Sequence, residues 1–159
     1  MGICELGDLP AALGPGRRLL ALDVGAKTIG LAISDGGLKV ASPLETIRRT
    51  GFVRDVQALE RLIDERRVGG LVVGLPVNMD GSEGRRCRSV RQFVTDLDRH
   101  IDLPVAFWDE RLSTAAVERV LVQEADLSRR RRARVVDKMA AAYILQAALD
   151  SLGRDAGPP

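Results

Sequence analysis

Apolar runs and the turns between them divide the first third of the chain into three strands. The run Arg18–Val24 and a second run at 29–34 flank a turn at 25–28, which predicts a β-hairpin. Residues 40–47 are predicted to form the third strand of an antiparallel meander.

From residue 52 the apolar positions recur at helical spacing. An amphipathic helix is predicted to end near Arg67. Its core face carries Phe52, Val56, Leu59 and Ile63. The short unbroken apolar run at 70–75 predicts a central strand that is covered on both faces.

Strand and helix patterns alternate in the second half. A polar turn at 78–84 precedes a predicted helix, a strand is predicted at 103–108, and the last helix is predicted over 135–152. Ser113 is a favourable N-cap for a further helix before it. The core faces of the first and second of these three helices carry Val90, Phe93, Val94 and Leu97, and Val117, Val120 and Leu121.

This order of elements predicts an α/β fold with a mixed five-stranded sheet, in which an antiparallel three-strand meander is followed by parallel strands. Helices are expected on both faces of the sheet. Residues 1–17 carry Gly and Pro without periodicity and are predicted to form a flexible leader, and 153–159 a flexible tail. Residues 18–152 are expected to form a single domain.

Composition agrees with a globular cytoplasmic protein. Hydrophobic residues make up 45% and charged residues 29% of the 159 positions. No apolar run approaches the roughly 20 residues needed to span a bilayer, so no membrane association is expected. Glu5 and Asp8 interrupt any signal-peptide pattern, and Cys4 and Cys87 are too few for a disulfide framework, which favours a reducing compartment.

The distribution of charge is more informative than the net charge of +2. Clusters of basic residues are typical of proteins that bind a phosphate backbone, although a solvated helix face gives the same pattern. The two clusters consist of Arg85, Arg86, Arg88 and Arg91, and of Arg129, Arg130, Arg131, Arg132 and Arg134.

Asp23 is the first candidate for chemistry, because it lies inside an apolar strand. A buried carboxylate costs several kcal/mol unless it is paired, hydrogen-bonded or bound to a cation. The alternative is that Asp23 lies at the strand end and caps the following turn.

Two further positions could contribute a carboxylate to a site with Asp23: the pair Asp109 and Glu110, and Asp137. Glu110 and its neighbour Asp109 follow an apolar strand, and only one of them can easily share a face with Asp23 because adjacent strand residues point to opposite faces. The residues alone leave open which one does. Asp137 shares a helical stripe with Ala141 and Ile144, although a first-turn aspartate is also favoured by the helix dipole.

Taken together, the three acids predict a divalent metal site. Clustered carboxylates repel one another, and Mg²⁺ or Mn²⁺ held by oxygen ligands relieves the repulsion. His100 is the single histidine, which argues against a zinc site and a histidine-based triad. Carboxylates, metal and nearby arginines form a common arrangement for cleaving phosphodiesters.

Two glycine-containing turns have alternative interpretations. The turn at 25–28 has the Gly-x-Lys-Thr end of a P-loop but lacks the full spacing and precedes a strand, so a P-loop is disfavoured. The segment 78–84 lacks the twelve-residue calcium pattern and fits better a turn that contacts phosphate before a helix.

Four segments, in this order, resemble the YqgF/RuvX family over about residues 18–152. They are LDVGAKTIGLA at 22–32, VGLPVNMDGS at 73–82, DERLST at 109–114 and VDKMAA at 136–141. The resemblance implies a ribonuclease H-like fold and a cytoplasmic bacterial nuclease that processes the 5′ end of pre-16S ribosomal RNA. The older description of such proteins, Holliday junction resolvase, is the alternative.

The resemblance also implies site residues. Asp23, Glu110 and Asp137 become the catalytic, metal-binding acids, and Glu110 is preferred over Asp109 on this ground only. The central strand ends in Gly74-Leu75-Pro76, without the acid that many ribonuclease H-like enzymes have there, so one or two metals stay open. The side chains expected to contact nucleic acid are Lys27, Asn78, Arg85, Arg86, Arg88, Arg111, Arg129, Arg130, Arg131 and Arg132.

Structured precursor ribosomal RNA is the expected partner, ahead of a DNA junction. A resolvase needs two active sites at a fixed spacing in a two-fold dimer, and no spare apolar stripe indicates such an interface, so a monomer or weak homodimer is expected. Two rival functions are an ATP-binding domain of the actin and sugar-kinase kind, which usually needs two lobes, and a non-catalytic RNA-binding module.

Overall fold

The computed structural model describes residues 2–113 and 129–155, and the side chains of all of these except 129–137 and 155. The described strands are β1 (Gly2–Ile3), β2 (Arg18–Val24), β3 (Thr28–Ser34), β4 (Ala41–Arg48), β5 (Val68–Leu75) and β6 (Pro104–Asp109). The described helices are α1 (Leu9–Leu13), α2 (Phe52–Arg66), α3 (Arg85–Asp98) and α4 (Arg129–Asp155).

All of these strands belong to one mixed sheet, in the order β1-β6-β5-β2-β3-β4. Strands β2, β3 and β4 pair antiparallel, which confirms the predicted meander. Strand β5 runs parallel to β2, and β6 runs parallel to β5. The carboxyl ends of β2, β5 and β6 therefore meet at one edge of the sheet, where ligands commonly bind in α/β proteins.

Helices cover both faces of the sheet, as predicted. Alternate residues of the central strands point to α2 and α3 on one face, where Leu22 and Val73 pack with Leu59 and Phe93. The residues between them point to α1 and α4 on the other. This second core contains Leu19, Ala21, Val72, Ala106, Ile144 and Leu145. Each fully buried Leu or Ile contributes about 1.5–3 kcal/mol to stability.

The first residues of the chain differ from the flexible leader predicted over 1–17. Strand β1 adds a sixth strand to the predicted five by pairing parallel with β6. Helix α1 buries Leu9 completely and Leu13 almost completely against the α4 side of the sheet. Gly69 in β5 permits this packing, because a Cβ there would lie 2.7 Å from the carbonyl oxygen of Leu13. Short apolar segments of this kind gain order from tertiary contacts rather than from periodicity.

The predicted ends of the chain also need adjustment. Helix α4 begins at Arg129 rather than 135 and continues through Gly153 to Asp155, into the predicted flexible tail. The helix predicted after Ser113, with Val117, Val120 and Leu121, lies outside the described residues.

Candidate active site

Asp23 lies near the carboxyl end of β2 on the face covered by α4. Its carboxylate is almost completely buried, with 6% of the residue exposed. Leu19 and Ala21, four and two residues earlier, belong to the same core as α4, so the alternation of the strand places Asp23 on that face. Strand β3 contributes Gly30 opposite Asp23.

Glu110 reaches the same face from the end of β6. Its Cγ and Cδ atoms lie 3.3 Å from the position that a Cβ would occupy on Gly74 of β5. Gly74 follows Val73, and Val73 is registered with Leu22 of β2. Asp23 and Gly74 are therefore neighbours on two adjacent strands, which lie about 4.8 Å apart. The structure thus brings Asp23 and Glu110 to the same edge and the same face.

Asp109 points to the other face. It is registered with Leu75, whose side chain belongs to the core beneath α2 and α3. Its Oδ2 accepts a hydrogen bond from Nη2 of Arg111 at 2.6 Å, and its Oδ1 accepts one from the Arg111 backbone N–H at 2.9 Å. These contacts with Arg111 hold the pKa of Asp109 below its usual value. Asp109 therefore neutralises Arg111 and caps the helical turn that carries Glu110.

Asp137 lies within α4, and its side chain is outside the described part of the structure. It precedes Ile144 by seven residues, or about 10 Å along the helix axis. Cδ1 of Ile144 lies 2.6 Å from the position of a Cβ on Gly74. The helix that carries Asp137 is therefore packed directly over the strand position beside Asp23 and Glu110.

The turn after Asp23 is held by Arg49 and Asp55, which are not among the predicted site residues. Nη1 of Arg49 donates to the carbonyl oxygen of Gly25 at 2.6 Å, and its backbone N–H donates to Lys27. Asp55 is 2% exposed and lies 3.7 Å from Nε of the same arginine. The available signal in the sequence was the position of Asp55 on the apolar stripe of the helix, three residues after Phe52 and four before Leu59.

The loop between β5 and α3 is ordered by its own polar groups. The backbone N–H of Asn78 donates to Ser82, and that of Gly81 donates back to Asn78, each at 2.9 Å. Oδ1 of Asp80 accepts from both the N–H and the hydroxyl of Ser82. Hydrogen bonds from Ser82 lower the pKa of Asp80, which keeps it charged and the turn closed.

A groove of about 500 Å³ lies between this loop, the first turn of α3 and the end of β6. Its lining is more apolar than polar and includes Glu110. The groove therefore joins Glu110, one of the two carboxylates at the sheet edge, to the basic first turn of α3. The other lining residues are Pro76, Val77, Asn78, Met79, Gly84, Arg85, Arg86, Cys87 and Arg111.

The predicted basic residues differ in their surroundings. Arg85, Arg86 and Arg88 are exposed on the first turn of α3, and Lys27 is exposed in the β2–β3 turn. Arg91, by contrast, forms a bidentate ion pair with Glu83, with contacts of 2.6 and 2.8 Å. The side chains of 129–132 lie outside the described part of the structure. His100 packs against Phe52 at the far end of α3 from the groove, with ring centroids 5.4 Å apart.

The donor set suits a hard divalent cation. Asp23 and Glu110 supply carboxylate oxygens, which Mg²⁺ and Mn²⁺ prefer. Among the described side chains, no group of three His, Cys, Asp or Glu residues could hold a metal ion.

The sheet order and the acidic edge define a ribonuclease H-like α/β fold. Two solved structures share it: RuvC of Thermus thermophilus in complex with a Holliday junction substrate, and the yeast mitochondrial Holliday junction resolvase. The first is 13% identical with a TM-score of 0.52, over 85% of this chain and 94% of that one. The second is 11% identical with a TM-score of 0.52, over 94% and 85%.

The chain belongs to the RuvX family, whose sequence model is described as Holliday junction resolvase and matches residues 17–151. A relative from Phenylobacterium zucineum is 59% identical over 96% of this chain and 98% of its own length. Another, from Paramagnetospirillum magneticum, is 58% identical over 95% and 97%. Both are named "Putative pre-16S rRNA nuclease". This membership makes the chain a nuclease, a hydrolase of phosphodiester bonds. No helix in the described part of the chain is long and apolar enough to cross a membrane.

Proposed function

We propose that this nuclease processes the 5′ end of pre-16S ribosomal RNA in the cytoplasm, with Asp23, Glu110 and Asp137 as its catalytic acids. The observation that carries the proposal is the meeting of Asp23 and Glu110 on one face of the sheet edge, beside a groove with a basic rim. The nuclease domain is residues 18–152, extended by β1, which pairs with its sheet, and by α1, which packs on it.

The three acids would hold Mg²⁺ or Mn²⁺. A metal of this type activates water and stabilises the leaving oxygen of a phosphodiester. Asp23 and Glu110 remain fixed because their strand and turn are packed beneath α4, so that little reorganisation accompanies the reaction. Asp109 binds Arg111 instead and keeps this guanidinium at the groove.

The basic side chains bind the phosphate backbone. Exposed cations near the active edge supply affinity and orient the substrate, while sequence is not read by such contacts. The basic residues in this role are Lys27, Arg85, Arg86, Arg88, Arg111, Arg129, Arg130, Arg131 and Arg132, and Asn78 adds a neutral amide.

Structured precursor ribosomal RNA is the proposed substrate, in agreement with the names of the curated relatives. One active site is sufficient to trim one RNA end, so the enzyme acts as a monomer or weak homodimer. A junction resolvase makes two symmetric cuts and requires a two-fold dimer.

A competition between substrates tests this proposal. Purified protein receives pre-16S RNA and a four-way DNA junction at matched salt, with Mg²⁺ or Mn²⁺. We expect cleavage of the RNA near its mature 5′ end. Paired symmetric nicks in the junction, with the RNA intact, would instead establish the Holliday junction resolvase activity that the description of the family model names.

A further inference from the structure

The groove beside Glu110 has an interior that phosphate contacts do not explain. Pro76 and Val77 form part of its wall, together with Met79 and the buried Cys87. Its volume of about 500 Å³ lies within the roughly 300–1,000 Å³ of small-molecule pockets. An apolar wall of this kind is suited to a flat, weakly hydrated surface rather than to an anion.

Met79 is the most exposed large hydrophobic residue of the described chain, with 86% of its surface accessible. It lies in the 78–84 loop, which hydrogen bonds among Asn78, Asp80 and Ser82 hold closed. Arg111 also donates to the carbonyl oxygen of Met79 at 3.5 Å. The loop therefore presents an apolar side chain to solvent from an ordered backbone at the mouth of the groove.

The rim of the groove carries complementary charge for a nucleic acid. Arg85 and Arg86 line it, are exposed, and form no ion pair with any residue that the structure describes. Their neighbour Arg91 forms an ion pair with Glu83, and Arg111 forms one with Asp109, so Arg85 and Arg86 are the groove-lining cations that have no carboxylate partner among the described residues. An apolar wall with a cationic rim matches a nucleotide, which joins a base with two π faces to a phosphate.

We propose that this groove binds one unpaired nucleotide adjacent to the scissile bond, with its base against Met79, Pro76 and Val77 and its phosphate at Arg85 and Arg86. This inference rests on the proposed function. It narrows the class of substrate to RNA that is unpaired at the cleavage site. A base inside a duplex is stacked on both faces and cannot reach the wall. The enzyme therefore cuts at a single-stranded position of an otherwise structured RNA.

Binding tests the role of Met79 separately from cleavage. The probe is a short single-stranded RNA with 2-aminopurine at the position next to the cleaved bond, titrated into protein carrying Asp23→Asn to prevent cleavage. In this background Met79→Ser should weaken binding about five- to tenfold, on the order of one lost base contact, and reduce the fluorescence change. Val53→Ser is the matched control, since Val53 is 66% exposed on α2 away from the groove, and should change neither quantity.

Cleavage tests the strandedness of the substrate. Two RNAs share the same cleaved bond, which is unpaired in one and covered by a complementary strand in the other. The wild-type enzyme should cut the unpaired site at least tenfold faster, and Met79→Ser should reduce this preference. Equal cleavage of both RNAs, or equal binding by Met79→Ser and Val53→Ser proteins, would overturn the inference. If the wild-type enzyme cleaved neither RNA, the result would instead count against the proposed function.

Discussion

At the scale of the residue, the neighbouring acids Asp109 and Glu110 have opposite surroundings, since Asp109 binds Arg111 while Glu110 lies over Gly74. Strand alternation predicts that only one of them joins Asp23, and the register of β6 with β5 places Glu110 on that side. The choice needs the register, which depends on contacts between strands distant in sequence. Asp23 was recognisable because an acid in an apolar run is costly to bury. Asp55 carries the same cost but was missed, since its helix looked amphipathic.

Exchange of these two neighbouring acids for amides should have unequal effects. Glu110→Gln should reduce metal-dependent cleavage to background, because the amide keeps the shape but loses the charge that holds a cation. Asp109→Asn should cost about tenfold at most, since it breaks a partly exposed ion pair worth about 1 kcal/mol or less. Single-turnover cleavage rates check both. Equal losses in the two variants would contradict the assignment of Glu110.

Arg49 should act as a positioning residue for the turn that follows Asp23. Arg49→Ala removes the hydrogen bond to Gly25 and leaves the buried Asp55 without its cation, so both kcat and stability should fall. Replacing Asp55 as well, in Arg49→Ala with Asp55→Asn, should recover stability but not kcat, while KM stays nearly unchanged, because the amide oxygen can still accept from the Thr50 backbone N–H without a buried charge. Thermal unfolding and steady-state kinetics separate the two effects. Recovery of kcat in the double variant would reduce Arg49 to a purely structural role.

At the scale of the element, the end of β5 shows why the fold was easier to predict than its contacts. Periodicity predicted the meander, the central strand and the helices on both faces. The space above Gly74 was not readable from sequence, because it is filled by Glu110 from β6 and Ile144 from α4. The central strand thus has no acid at its end, and its Gly74 leaves room for an acid from the neighbouring strand. Strand β1 and helix α1 are too short to give a periodic signal.

Gly74→Ala should impair activity more than stability. The new Cβ would meet Ile144 at 2.6 Å and Glu110 at 3.3 Å, so both side chains must shift. Overpacking of this kind costs about 1–3 kcal/mol of unfolding free energy. The displaced Glu110 should reduce kcat by more than tenfold at temperatures where the variant is folded. Urea denaturation and cleavage rates measure the two quantities, and a folded variant with wild-type kcat would show that Glu110 needs no fixed position.

At the scale of the whole molecule, function depends on where charge lies rather than on its sum. The net charge is only +2, and some cations, such as Arg91, are occupied by ion pairs with carboxylates. Sequence located the basic cluster on α3 but could not separate paired from free arginines, since the pairing of Arg91 with Glu83 follows from the folded loop.

The free arginines of α3 should set the salt dependence of binding. Replacing Arg85, Arg86 and Arg88 with Ala should weaken affinity for RNA and flatten the slope of log affinity against log salt by up to about one unit per lost phosphate contact. Arg54, Arg61 and Arg66, exposed on α2, form the matched control triple. An unchanged slope in the α3 variant would make these arginines ordinary surface residues.

The most direct test of the account is the rate at which Asp23→Asn protein cleaves pre-16S RNA in Mg²⁺, compared with wild type and with Asp64→Asn. Asp64 is an exposed aspartate of α2 and serves as the control for the same chemical change. We expect wild-type cleavage by the Asp64→Asn protein, and none above background by the folded Asp23→Asn protein or by wild type in EDTA. Cleavage by Asp23→Asn at the wild-type rate would contradict it.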